Sequence, residues 1–174
     1  MVSKNTLFKS GLTLIFMIWL SYISLGHQLD TYYQAVQSQL GYVETQLRNE
    51  TVFSKRIINI VGPSPLTKKM EFGINLFNNA PTIDTSIDAI KNHHQILSQF
   101  LGTLDPKTLD ERVIAADIKP LFDHNTKRLE DEWSALYGSI TWYNQKLTQF
   151  PYTIYLKFSP RTPLPIIPAS LSAK

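Results

Sequence analysis

Leu129-Glu-Asp-Glu-Trp133-Ser-Ala-Leu136-Tyr-Gly-Ser-Ile140-Thr-Trp-Tyr143-Asn-Gln-Lys-Leu147-Thr-Gln-Phe150-Pro151 is the stretch that decides the fold. Its large apolar residues return at alternating steps of four and three, which a helix gathers on one stripe and a strand would scatter over both faces. The spacing predicts a long helix with a heptad seam, stopped at Pro151. The same rhythm governs Leu29, Tyr33, Val36, Leu40, Val43 and Leu47. It resumes, after a phase shift near Glu50, through Phe53, Ile57 and Ile60 until Gly62-Pro63-Ser64-Pro65 ends it.

Between these two helices the pattern predicts shorter ones. Pro65 suits a first helical turn, and the helix it opens carries Leu66, Met70, Ile74 and Phe77 before fading at Asn78-Asn79-Ala80-Pro81. Gly73 weakens that helix. A third opens with Thr85-x-x-Asp88 as a capping pattern, Asp84 being the rival cap. It runs through Ile87, Ile90, His94, Leu97, Leu101 and Leu104 to Asp105-Pro106. Residues 107–119 read as a polar connection with a short helical piece through Leu109, Val113 and Ala116, broken before Pro120. No strand alternation and no hairpin signal occurs, so the expected class is all-α: an N-terminal membrane helix, an antiparallel bundle of long helices and a proline-rich extended tail. The expected core is Val36, Leu40, Val43, Ile90, Leu97, Leu101, Trp133, Leu136, Ile140 and Leu147.

A chain of 174 residues, 43% hydrophobic and 18% charged, has enough material for one sizeable core and an appendage. Its net charge of +3 is carried by the ends, at Lys4, Lys9, Lys157, Arg161 and Lys174. Residues 10–151 hold 12 basic and 14 acidic side chains, which gives no basic groove for nucleic acid. The absence of cysteine excludes disulfides, thiolate catalysis and cysteine-held metal clusters.

Residues 11–25 carry no charge and follow two lysines, which predicts a single-pass membrane contact through residues 7–26. As a helix, residues 11–26 cover about 24 Å at ~1.5 Å per residue, short of a hydrocarbon core of roughly 30 Å, so Lys9 would snorkel and draw Leu7 and Phe8 to the interface. The competing reading is a signal peptide, with Ser24 and Gly26 placing small residues before a cut at His27. The aromatic Trp19 and Tyr22 favour the retained anchor. Both readings export the rest, because Lys4 and Lys9 hold the N-terminus in the cytoplasm and the next charge, Asp30, is acidic. The organisation expected is therefore 1–27 anchor, 28–151 helical domain and 152–174 tail, at the cytoplasmic membrane with the helical domain outside.

Tyr143-Asn144-Gln145-Lys146-Leu147-Thr148-Gln149-Phe150-Pro151 resembles the Tyr-Asn-x-x-Ile-x-x-Phe-Pro signature that closes the long helix of LemA-family proteins. Arg128-Leu129 is similar to that family's Arg-Ile pair at the same offset, and Phe158-Ser159-Pro160-Arg161 to its terminal Phe-x-Pro-Lys/Arg element. Gln46-Leu47-Arg48 and Ile57-Ile58-Asn59-Ile60-Val61 resemble blocks of its first long helix, with a gap of about three residues between them. The chain departs from the family at Leu136-Tyr137, where a second Tyr-Asn pair stands, at Trp133, where an arginine stands, and at Ile58, where a proline stands. The resemblance implies a divergent, membrane-anchored helical bundle of a bacterial envelope, from a family without an established enzymatic activity. The residues it marks are Arg128, Tyr143, Asn144, Phe150 and Pro151.

Chemistry-bearing patterns are few. His93-His94 invites a metal site, but adjacent histidines point about 100° apart on a helix and the i, i+4 pair is missing. The expected arrangement is a seam His94 hydrogen-bonded in the interior beside an exposed His93; a site pairing His94 with an acid from another helix is the alternative. Asp110-Glu111 and Glu130-Asp131-Glu132 read as solvated helix faces. No nucleophile elbow, phosphate loop or His-Glu-x-x-His occurs. No catalytic residue, metal ligand or cofactor is assigned; a protein partner or self-assembly is expected. Asn144 is expected to brace the turn into Pro151-Tyr152 by bonding freed backbone groups. In the tail, Tyr152, Tyr155 and Phe158 recur every third residue, which would align three rings on one side of a polyproline path. Those rings would dock on the helices or enter the bilayer interface, and Pro160–Pro168 could also serve as a polyproline ligand.

Overall fold

The computed structural model describes residues 4–80 and 82–171, with side chains from residue 11 onward; the expectations for Leu7, Phe8, Lys9 and Pro81 fall outside the described side chains or residues. The chain is all-helical, with no strand among the described residues. Its helices are α1 (Lys4–Val61), α2 (Pro65–Asn78), α3 (Ile83–Gly102), α4 (Leu109–Val113), α5 (Lys119–Thr148) and the single turn α6 (Tyr152–Tyr155). The chain divides into two compact units, Met1–Val36 with Ser139–Leu164, and Gln37–Gly138 with Pro165–Lys174.

The starts of α2, α3 and α4 share one device. Ser64, Thr82 and Thr108 are N-caps, and in each case the residue three positions on, Thr67, Thr85 or Glu111, bonds back to the cap. The α3 cap is thus Thr82 and not Thr85 or Asp84: the Thr85 hydroxyl serves the Thr82 amide at 3.1 Å, so Thr85 is the third helical residue. Helix α1 ends at Gly62, whose φ of +73° closes the last turn at no Cβ cost.

Pro120 does not break the chain as its sequence suggests. Ile114–Ile118 form a π turn that joins α4 to α5, and Pro120 sits inside the first turn of α5. A proline ring clashes with the carbonyl four residues back in a regular helix. Widening the preceding turn moves that carbonyl aside, which is how one π turn accommodates the proline. The buried face of this region is Ile114, Ile118 and Phe122, whereas Leu109, Val113 and Ala116 are exposed.

In the unit Gln37–Gly138 with Pro165–Lys174, Ile57, Met70, Leu97, Leu101, Ile114, Ile118 and Phe122 form one apolar cluster that joins α1, α2, α3 and α5. Leu40, Val43, Leu47, Ile90, Leu129, Trp133 and Leu136 are buried as well. Trp133 donates its indole N–H to the Pro168 carbonyl at 2.9 Å, and Glu130 accepts the Leu171 amide at 3.0 Å. In the unit Met1–Val36 with Ser139–Leu164, the buried set is Leu29, Val36, Ile140, Tyr143, Leu147, Tyr152 and Tyr155. All ten expected core residues are buried, but Phe150 is 78% exposed. The stripe ends one step early because α5 stops at Thr148.

The segment after Pro151 is not extended throughout. Residues 152–155 form a helical turn, so Tyr152 and Tyr155 point inward together while Phe158 is 75% exposed. A three-residue spacing puts side chains on one side of a polyproline helix; in a helical turn each such step rotates by about 60°, which keeps Tyr152 and Tyr155 on one side, while Phe158 lies beyond the turn and faces out.

Truncation of Leu40 or Leu136 to alanine should each cost about 2 to 5 kcal/mol, read by denaturant titration of the detergent-solubilised chain, whereas the half-exposed Leu121 should cost under about 0.5 kcal/mol. Equal effects at the three positions would contradict this core.

Candidate functional site

The buried stripe of α1 runs Leu40, Val43, Leu47, Glu50, Ser54 and Ile57, in unbroken steps of three and four. There is no phase shift; two seam positions are polar. Both find partners on α3. His94 Nδ1 lies 2.9 and 3.1 Å from the two carboxylate oxygens of Glu50, and Ser54 Oγ lies 3.3 Å from His93 Nε2. Both histidines are buried, His93 completely, which corrects the expectation of an exposed His93. Adjacent histidines reach the same helix because α3 presents them on either side of the line along which it meets α1, one turn apart on the α1 side at positions 50 and 54.

The cluster is enclosed on its other sides. Phe122 of α5 stacks on the His94 ring, with centroids 5.7 Å apart. A Cβ added to Gly73 of α2 would lie 3.1 Å from His93 Nδ1 and 3.6 Å from its Cα, so Gly73 is the contact that lets α2 close over α3. The glycine that weakens α2 as a helix thus stands where a Cβ would crowd His93. His93 Nδ1 has no hydrogen-bond partner among the described residues. We therefore assign the Nε2–H tautomer, which keeps the buried Nδ1 as a bare acceptor and avoids an unsatisfied N–H. Burial pushes the His93 imidazole down to about 4; a bond to the Glu50 carbonyl opposes the shift, and the neighbouring His94 adds to it. The described residues contain no group of three His, Cys, Asp or Glu side chains able to hold a metal ion.

The residues that the resemblance marks occupy different places. Arg128 is exposed on α5. In the unit Met1–Val36 with Ser139–Leu164, Tyr143 is buried against Tyr33, ring centroids 5.9 Å apart, and burial raises its phenol pKa. Asn144 grips the backbone of Leu164 from both sides, donating Nδ2–H to its carbonyl and accepting its amide, each at 2.9 Å. Its partner is thus twenty residues away and not the turn at Pro151. Pro151 is half-buried, joined to Phe150 by a cis peptide. Arg161 pairs with Asp30 at 2.7 Å, and the Tyr152 hydroxyl donates to Gln28 Oε1 at 2.6 Å. Burial, with Tyr32 alongside, pushes the Tyr152 phenol up to about 12.

Sequence reasoning missed Glu50 and Ser54 as partners of the histidines; the heptad count, carried across polar residues, would have found them. It also missed the structural use of the acidic run, where Glu130 holds the tail and Glu132 accepts a 2.7 Å bond from Gln39.

Two outcomes test this cluster. His93 binds its proton less readily in the folded chain than in the unfolded one, where its value is near 6.5, so its stabilising contribution is complete above about 6.5 and falls away as pH drops toward 4. The loss should approach about 3 kcal/mol, and H93Q should remove that part of the pH slope in parallel denaturant titrations. Gly73→Ala would gain about 1 kcal/mol of helix propensity, but the pinned His93 has no room to retreat. The variant should lose stability, and a gain in melting temperature would show that α2 does not close on His93.

No family model matches this chain, and no curated protein or solved structure is significantly similar to it.

Proposed function

We propose that the chain is a membrane-anchored, non-enzymatic helical scaffold or adaptor of a bacterial cell envelope, a divergent LemA-like protein that presents an antiparallel bundle with heptad seams to a protein partner or to another copy of itself. The observation that carries this reading is the continuity of α1. The helix is long and apolar enough near its N-terminus to cross a membrane, and residues 12, 14–20 and 23 expose large apolar side chains along it. The same helix continues, without a break, into residues that the C-terminal part of the chain grips.

Tyr155 covers Gly26 so closely that a Cβ there would lie 2.7 Å from its hydroxyl, and its ring meets Tyr22 at 4.6 Å between centroids. A cut at His27 would discard both contacts. This supports an uncleaved anchor. The lysines at the N-terminus and the acidic first charge beyond the apolar run support an orientation with the helical part outside the cytoplasm. Contacts that pair Gln39 with Glu132 and Asn49 with Asn125 support α1 and α5 running antiparallel. The polar groups that could carry chemistry, Glu50, Ser54, His93 and His94, are spent on holding helices together, which favours a scaffold over an enzyme.

A second reading, a metal or enzymatic site near His94, is favoured by the Glu50 carboxylate on its Nδ1. Elemental analysis of the purified chain separates the two: the scaffold predicts no stoichiometric metal, whereas metal bound by the wild type and lost in H94Q would select the second reading. For the anchor, protease added to spheroplasts should degrade the helical part and leave a membrane-embedded fragment that contains residues 11–25. A mature N-terminus at His27 would sink the anchored reading.

A further inference from the structure

We propose that residues 150–158 form a lipid-facing element that lies in the outer interface of the bilayer beside the membrane segment of α1. The inference rests on the reading of α1 as a membrane anchor and adds a second contact with the bilayer, made by a part of the chain more than a hundred residues away in sequence.

Three observations within one compact unit place this element. Pro151 lines a shallow groove with Met17, Leu20, Ser21, Ser24 and Leu25, and Tyr155 rests on Tyr22 and Gly26. The turn therefore stands alongside the last two to three turns of the apolar run, the outermost ~12 Å of it at ~1.5 Å per residue. Its side chains are divided into two faces. Tyr152 and Tyr155 are buried against α1, while Phe150, Ile154 and Phe158, at four-residue steps, are 78%, 52% and 75% exposed. Three large apolar side chains aligned on the outside of a turn, at the depth of a membrane helix, match lipid better than water.

The backbone is prepared for that setting. The amides of Thr153 through Ser159 all donate to carbonyls between Gln149 and Tyr155, so the turn enters a less polar medium without leaving those groups unsatisfied. The charge agrees. Residues 139–164 contain Lys146, Lys157 and Arg161 and no acidic residue, which suits anionic head groups. Lys157 is exposed, directly beside Phe158.

The chain has no cysteine, so single cysteines can be introduced without further changes. F150C, I154C, F158C and L20C variants of the full-length chain would be nitroxide-labelled and reconstituted in vesicles of phosphatidylethanolamine and phosphatidylglycerol. Collisions with oxygen and with a water-soluble nickel chelate then report depth. Oxygen-dominated collisions at all four positions are expected. If L20C reads lipid but two or more of the other three are dominated by nickel, the face is in water, open to a protein partner, and this inference falls while the anchor stands. Nickel-dominated collisions at Leu20 as well would overturn the anchor together with the inference.

Discussion

The hydrogen bond from His94 to the Glu50 carboxylate sets the register of the larger unit. A carboxylate with no exposed surface is costly to bury, and it is tolerable only where a donor meets it. His94 is that donor, and one turn along, Ser54 and His93 make a second polar contact between the same two helices. Sliding α3 by one turn on α1 would leave the carboxylate facing apolar side chains, so the apolar seams on either side are held to one alignment. Removal of one partner costs about 3 to 5 kcal/mol, whereas replacing both by apolar residues can be neutral. We therefore read the pair as a device for choosing one packing among several.

The rest of that unit is shaped around this polar layer. Phe122 covers His94 from α5, and Gly73 gives α2 the clearance to approach His93. The smaller unit uses a different chemistry: tyrosines whose rings pack on α1 and on one another. Tyr152 bonds Gln28, Tyr155 fills the space that Gly26 leaves, and Tyr32 meets Trp142 at 4.3 Å between ring centroids. Under the proposed anchoring of α1, apolar faces with polar tips suit a region where one side would meet hydrocarbon and the other water.

Much of the helical layout was legible because the apolar residues keep a strict period. Leu129, Trp133 and Leu136 announce their own burial, and Pro65 and Gly62 mark a start and a stop. The errors arise where one residue's local preference opposes its packing. Pro120 reads as a break because the compensating π turn has no signature in composition. Glu50 reads as an interruption because hydrophobic periodicity counts only apolar residues. Phe150 reads as core because a heptad count does not register that the helix has already ended. His93 and Gly73 were opaque for another reason: the space one leaves is defined by the other, twenty residues away. The indole N–H of Trp133 was opaque in the same way, because its acceptor, the Pro168 carbonyl, is thirty-five residues away.

The grip of Asn144 on Leu164 has a consequence for how this sequence can drift. Both bonds go to main-chain atoms, so what is recognised is the path of the backbone and not the identity of the side chain. Position 164 can therefore change to any residue that keeps its amide, while proline there would lose one bond. Position 144 has no such freedom: aspartate loses the donor, leucine loses both functions, and glutamine moves the amide group outward by a methylene. A single asparagine thus lets the proline-rich segment vary in composition while its course over α5 stays fixed.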